Sequence, residues 1–280
     1  MLINQDNHPL HSNVTSTQIY KVVLCEGGLF RDSDHDLIGE EPLLIRVEGK
    51  PYSVVMRTPG EEIHHAAGFC LGEGLVDSHN DFLTIGYCKD LDPNIIDVKL
   101  TPERLEKISA LLDHKRFTTQ TSYGICGEGL LKDLYERLSP AEDSTKIAIN
   151  RLFDCVENLS KYQNFYERTR GSHAAMLFDY HFDVLAFSED VGRHNALDKA
   201  IGKIFLSGDL PKAFVAILSS RISFELVQKL ARARLPIIVS KSRPTALAAE
   251  MGHKLNMTLA CAPKESELIL ISGEDRVIRK

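Results

Sequence analysis

Residues 213–218 read Ala-Phe-Val-Ala-Ile-Leu, an unbroken apolar run of strand length closed by Ser219, Ser220 and Arg221. A strand with one face in water alternates apolar and polar side chains. An uninterrupted run fits a strand covered on both faces, which calls for helices on either side of the sheet. The surrounding sequence supplies them. "FELVQKLARAR", "PIIVS", "TALAAEMGHKL", "MTLACA" and "ELILIS" follow as helix, strand, helix, strand and strand. Upstream, "HAAMLFD" and "DVLAFS" flank the turn residues Tyr180 and His181 and read as paired strands. Ala196, Leu197, Ala200, Ile201, Ile204 and Phe205 then recur at helical spacing. The order predicts a three-layer α/β unit over 149–280, with parallel strand pairs and a first helix over Ile149 to Tyr162.

The N-terminal part has a different character. "IYKVVL", "LLIRVEG" and "YSVVMRT" predict short strands, Glu61 to Leu75 a helix, and "FLTIGYC" and "IIDVKL" two more strands. Residues 20–115 therefore form a smaller β-rich α+β domain, making the whole chain α+β. Residues 1–19 are rich in Asn, His, Ser and Thr and read as a flexible tail without a signal peptide. Residues 116–148 join the two units through a Gly-rich cysteine loop and a helix from Gly129 to Leu138.

Composition narrows the partners. The formal charge of -6 disfavours a general nucleic-acid binder, and no segment reaches the ~18 continuous apolar residues that a membrane span needs. The six cysteines lack a framework spacing, so they are expected as free thiols in the cytoplasm.

Candidate chemistry gathers at strand ends, in Thr169–His173, Glu189–Lys199 and Ser219–Glu225. In α/β sheets ligands collect beyond the carboxyl ends of strands, where helix N-termini present free N–H groups. "SEDVGRHNALDKAIG" sets Arg193, His194, Asn195 and Lys199 at the start of a helix. For such a run in isolation, Asp190 as helix cap and the rest solvated is the simpler account. Here Gly192 would also let a ligand approach the backbone, and His194 could donate to an oxygen or move a proton. Arg170 and His173 bracket Gly171 before a strand; Ser219, Ser220 and Arg221 open another helix, with Ser223 expected as its N-cap. Lys241 and Arg243 precede Pro244, which suits a first helical position. Four such junctions describe a phosphate-binding site, although neither a Walker loop nor a dinucleotide fingerprint occurs.

Cys126 lies in a Gly-rich stretch directly before a helix, whose dipole would favour the thiolate, while Glu128 opposes it. Context alone leaves a reactive and a structural thiol equally open. Cys25, Cys70, Cys88, Cys155 and Cys261 sit in apolar or strand-like surroundings and are expected as inert core thiols. No zinc-deaminase ligand set is present, because His173 and His194 are followed two residues later by Ala175 and Ala196 and no Cys-x-x-Cys exists. No metal site is expected.

Together, "RTPGEEIHHAAGFCLGEGL", "SYGICG", "TRGSHAA", "SEDVGRHNALDKAIG", "SSRISFELVQK" and "RPTALAAEMGHKLNMTL" resemble the formate dehydrogenase accessory protein (FdhD) family. The resemblance implies a cytidine-deaminase-like fold without zinc for 149–280. It also implies a sulfurtransferase that takes persulfide sulfur from a cysteine desulfurase and passes it to the molybdenum (or tungsten) bis(molybdopterin guanine dinucleotide) cofactor before insertion into formate dehydrogenase. The cofactor would be held transiently by Arg170, His173, Arg193, His194, Asn195, Lys199, Ser219, Ser220 and Arg221, and Cys126 would carry the sulfur. A homodimer is the implied assembly. The chain departs from the family in two places. Tyr123 stands where the family's Cys-x-x-Cys loop has its first cysteine, which admits the alternative of a cofactor-binding chaperone without sulfur transfer. "CAPKESELILISG" also replaces a stretch that the family associates with cofactor contact, so Cys261 to Glu267 is a weak candidate for a binding loop.

Overall fold

The computed structural model describes residues 2–4, 15–88, 92–114, 138–264 and 266–278. Tyr123, Cys126 and nearly all of the helix expected over Gly129 to Leu138 lie outside the described residues.

The chain opens with β1 (Leu2–Asn4), then a ribbon of β2 (Thr17–Glu26) and β3 (Leu29–Ile38). Gly27 and Gly28 join the ribbon strands with φ of 60° and 85°, the positive values that a two-residue type I′ hairpin turn requires. Next come β4 (Glu41–Val47), β5 (Lys50–Arg57), α1 (Glu62–Gly72), β6 (Phe82–Tyr87), β7 (Ile95–Leu100) and α2 (Pro102–His114). Five of these strands form a sheet ordered β1-β6-β7-β4-β5. Leu2–Asn4 and Thr17–Ile19, read in the sequence as tail, are thus strand residues: β1 pairs in parallel with β6, and β2 begins at Thr17.

The C-terminal unit contains β8 (Ile147–Ala148), α3 (Ile149–Tyr162), α4 (Asn164–Thr169), β9 (His173–Asp179), β10 (Val184–Asp190), α5 (Arg193–Leu206) and β11 (Ala213–Leu218). It continues with α6 (Phe224–Arg232), β12 (Ile237–Ser240), α7 (Ala246–Lys254), β13 (Thr258–Lys264), β14 (Glu267–Ser272) and β15 (Val277–Ile278). A six-stranded sheet runs β10-β9-β11-β12-β13-β14. The pairs β11–β12 and β12–β13 are parallel, whereas β9 is antiparallel to both β10 and β11.

The apolar run of β11 is fully buried, as its composition demands. Ala216 and Leu218 face the core shared with α1, α5, α6 and α7, whereas Val215 and Ile217 face Leu152, Cys155 and Leu159 of α3. The first core continues without a break from Leu43 and Ile45 of β4 through α1 to Leu259 of β13. Helices α1 and α5 meet at backbone distance. A Cβ on Gly68 would lie 1.9 Å from the Asp198 carbonyl oxygen, and one on Gly202 would lie 1.8 Å from the His64 carbonyl oxygen. Among the described residues no helix is long and apolar enough to cross a membrane.

Candidate functional site

The topology brings the polar runs together at one end of the six-stranded sheet. Because β9 and β10 are antiparallel, the start of one lies beside the end of the other, and His173 pairs with Asp190. Strand β11 ends next to β9, with the Ser219 N–H donating to the Ala174 carbonyl at 3.0 Å. On its other side Leu218 pairs with Ser240 of β12, which in turn pairs with Cys261 of β13. Each parallel crossover then returns a helix start to this edge, so α5, α6 and α7 all begin here. Three sets of unpaired helical N–H groups therefore converge.

Within the Glu189–Lys199 run the residues divide by face. Asp190 is fully buried, accepts from the Gly192 N–H at 2.8 Å, the Thr58 N–H at 3.1 Å and Asn195 Nδ2 at 2.9 Å, and pairs with Lys199 Nζ at 2.7 Å. Lys199 is only 1% exposed and also donates to the Thr58 carbonyl. Asn195 donates to the Met56 carbonyl at 2.7 Å. Asn195 and Lys199 are one helical turn apart and both fasten the end of β5 onto α5, so neither offers a side chain to a ligand. Gly192 has a structural cause as well: a Cβ there would lie 2.7 Å from Asn195 Nδ2. Glu189, likewise buried, accepts from the Phe165 and Tyr166 N–H groups and from Ser172 Oγ, and so anchors the start of α4.

The other members face the open edge. Arg193 is half-buried, and its Nε is enclosed without a hydrogen-bond partner among the described residues. His194 Nε2 lies 3.2 Å from Ser223 Oγ and 3.6 Å from Glu225 Oε2, which ties the start of α5 to that of α6. Ser223 holds the N-cap backbone position but makes no side-chain cap bond, so its hydroxyl serves His194 instead of the helix expected from sequence. Half-buried His173 has its pKa lowered by burial and then by the nearby charge of Arg193. Ser219 Oγ accepts from the Ala174 N–H, and buried Ser220 donates to the Arg221 carbonyl. Arg221 is exposed; Arg170, exposed in a left-handed backbone conformation, lies over the Tyr166 ring at 5.1 Å. Arg170, Arg193 and Arg221 have no carboxylate partner among the described residues, unlike Arg168, which Asp36 holds at 2.8 Å.

At the far side, Lys241 Nζ donates to Ser160 Oγ, and burial lowers its pKa. Pro244 precedes the helix instead of opening it: α7 starts at Ala246 and is capped by Thr245, whose hydroxyl accepts from the Ala248 N–H. Cys261 is buried at this edge, and burial pushes its thiol up, away from reactivity. Cys70 and Cys155 are core thiols, but Cys25 is exposed on β2 and Cys88 is half-buried beside Arg46, contrary to the sequence expectation for both. No cluster of metal-ligating side chains occurs among the described residues. That Met56 and Thr58 back this site is not legible in the sequence, because the contact joins segments far apart in the chain.

An edge with three helix starts and arginines lacking carboxylate partners among the described residues can hold a phosphate or pyrophosphate. The sequence model of the FdhD/NarQ family matches residues 38–278. The sulfur carrier protein FdhD of Streptomyces coelicolor is 35% identical over 272 residues, covering 93% of this chain and 95% of the relative. That of Mycobacterium bovis is 36% identical over 250 residues, covering 85% and 90%. In fold, the chain is similar to the crystal structure of a candidate formate dehydrogenase accessory protein from Desulfotalea psychrophila, with a TM-score of 0.74, 20% identity and coverage of 94% and 99%. With the family pattern extending over most of its length, this chain belongs to the FdhD/NarQ family.

Proposed function

We propose that the protein is a cytoplasmic sulfur carrier of sulfurtransferase type that serves formate dehydrogenase. Its substrate is the molybdenum (or tungsten) bis(molybdopterin guanine dinucleotide) cofactor, held transiently while sulfur from a cysteine desulfurase is delivered. The observation that carries the reading is the set of Arg170, Arg193 and Arg221, without carboxylate partners among the described residues, on the edge where α5, α6 and α7 begin. A pyrophosphate suits that arrangement, because guanidinium and helix N–H groups both donate to anionic oxygens. The names of the relatives support the sulfur role. The antiparallel β9–β10 hairpin followed by parallel β11, β12 and β13 supports a cytidine-deaminase-like reading of the C-terminal unit.

The sulfur step falls to Cys126, on the sequence argument alone. Its thiolate attacks the terminal sulfur of the desulfurase persulfide. That S–S bond breaks, the desulfurase thiolate leaves, and Cys126 becomes the persulfide. Tyr123 favours a second reading, in which the protein shelters the cofactor without carrying sulfur.

Two measurements separate the parts. In a guanosine diphosphate titration, Arg193→Ala weakens binding about tenfold or more, the loss of ~1.5–3 kcal/mol for a charge-assisted hydrogen bond. Equal affinity in the variant and the parent would remove the phosphate site. Incubation with a cysteine desulfurase and cysteine, read by mass spectrometry, adds ~32 Da at Cys126. An unmodified Cys126, together with rescue of an accessory-deficient strain by Cys126→Ser but not by Arg193→Ala, would establish the chaperone reading instead.

A further inference from the structure

The β2–β3 ribbon is fastened beside the edge that carries the arginines. At its base Asp36 pairs with Arg168 of α4 at 2.8 Å, and Ser16 Oγ donates to the Pro59 carbonyl at 3.0 Å, next to the Thr58 that backs the site. Ile38 lies against Gly171, where a Cβ would meet its Cγ2 at 2.9 Å, and Arg170 and His173 stand on either side of that glycine. From this base each strand runs for ten residues, so at ~3.4 Å per residue the Gly27-Gly28 tip lies about 30 Å along the ribbon.

Cross-strand partners share a face, so the register sorts the side chains. One face joins Ile19 with Asp36, Lys21 with Asp34, Val23 with Asp32 and Cys25 with Phe30. On that face Ile19, Val23 and Cys25 of β2 make an apolar column, continued at the tip by Phe30. Asp32, Asp34 and Asp36 of β3 make a carboxylate column ~5 Å away. Ile19 is 73% exposed, Val23 65% and Phe30 74%, and Lys21, Cys25, Asp32 and Asp34 are exposed as well. Successive side chains of a column are ~7 Å apart, within the ~8 Å Debye length at physiological ionic strength. The three aspartates therefore act on a partner together, against Lys21 as the one cation that the ribbon places on this face.

This composition turns some partners away and suits another. Nucleic acid and anionic membranes present phosphate charge, which the carboxylate column repels. An exposed apolar column rimmed by charge marks a protein contact, and its counterpart is a surface that sets apolar side chains beside Lys and Arg. The position on the molecule narrows the choice. To leave the arginine edge, a ligand must pass to a recipient protein that covers the edge. A cavity built to receive a pyrophosphate is itself lined with cationic donors. Arg170, Arg193 and Arg221 repel such a mouth, whereas a carboxylate column fastened next to them attracts it.

We infer that this face of the ribbon is the docking surface for the recipient, formate dehydrogenase in its cofactor-free form, and that it seats the recipient's basic rim beside the arginine edge. The identity of the recipient rests on the function proposed above, whereas the composition and charge of the face are those of the ribbon itself.

The full chain, titrated onto immobilised cofactor-free formate dehydrogenase at low ionic strength, should bind. Asp32→Lys combined with Asp34→Lys should raise the dissociation constant about 30-fold or more, because each lysine turns an attraction at the contact into a repulsion. Asp32→Asn with Asp34→Asn should weaken binding less and flatten the fall in affinity on adding salt. Circular dichroism and the melting temperature check folding. Should the lysine variant fail to fold, Val23→Ser with Phe30→Ser decides the matter, with a loss of about tenfold or more expected. Guanosine diphosphate should bind all these variants as it binds the parent. Dehydrogenase binding that responds in this way, in a protein that does not bind guanosine diphosphate, keeps the docking face and removes the phosphate site. Absence of dehydrogenase binding by the parent, or equal binding by parent and variants, overturns the docking face whatever the nucleotide does. So does a variant that changes the mass of the chain in light scattering while dehydrogenase binding stays intact, since the face would then serve a second copy.

Discussion

Asp190 and Arg193 are three residues apart, and the fold gives them opposite tasks. Asp190 is sealed behind Thr58, Asn195 and Lys199, whereas Arg193 is half-buried, its Nε without a hydrogen-bond partner among the described residues. Residue type in the sequence could not separate them, because a buried ion pair and a ligand-binding pair use the same side chains. The i, i+4 spacing of Asn195 and Lys199 did place these two on one helical face, but which face is covered depends on α1 and β5. His65 shows the same limit. It is fully buried on α1, and neither ring nitrogen has a hydrogen bond of normal geometry among the described residues, although Asn195 is near. Burial, then the charges of Lys199, Lys229 and Arg57, hold its pKa well below the ordinary 6.5. A histidine depressed in this way takes its proton only in the unfolded chain, so stability is full above about pH 6.5 and falls as pH drops below it. His65→Leu should therefore lose about 1 kcal/mol less than the parent between pH 6.5 and 5.5 in denaturant titrations. Parallel losses in the two proteins would show that His65 becomes protonated in the folded chain.

At the scale of elements, the sequence was most legible where one periodicity ran long. Helix α3 spans Ile149–Tyr162 as expected, and β11 is buried on both faces as its apolar run requires. It was least legible where the deciding signal was short. Strand β3 carries Asp and Arg in place of a β-branched run, and the sign that it exists is Gly27-Gly28, a turn pair matched to a tight hairpin. The contact between α1 and α5 was invisible for another reason: glycine within a helix reads as a defect until the neighbouring backbone is seen. Alanine at position 68 would gain about 1 kcal/mol in helix propensity. The Asp198 carbonyl oxygen 1.9 Å from the new Cβ opposes that gain, and displacing it costs about 3 kcal/mol as overpacking. The overlap should win, and Gly68→Ala should melt several degrees below the parent, roughly 5–10 °C. A raised melting temperature would mean that the two helices can separate slightly without loss.

The same helix contact governs the whole molecule. The sequence divides the chain into a β-rich unit over 20–115 and an α/β unit over 149–280, a division drawn from the change in pattern. The core does not follow that boundary: residues of β4, β6, β7 and α1 pack with residues of α5, α6, α7 and β11 in one cluster. Charge crosses it too, since Lys203 of α5 pairs with Glu61 just before α1, and Arg232 of α6 pairs with Asp77 at 2.6 Å. If either part unfolded alone, Ala196, Ala200, Ile201 and Ile204 on α5 would lose part of their cover, and the bonds from Asn195 and Lys199 to Met56 and Thr58 would open. Buried polar groups left without partners cost about 1–3 kcal/mol each, which adds to the apolar loss. Calorimetry of the full chain should therefore show one transition, with calorimetric and van't Hoff enthalpies in agreement. A fragment covering 149–280 should expose the α1-facing side of α5 and bind a hydrophobic dye. Two resolved transitions, or a fragment that melts cooperatively without dye binding, would show that the phosphate edge is built by the C-terminal unit alone. A single transition would mean that the N-terminal part holds in place the helix that presents Arg193 and His194.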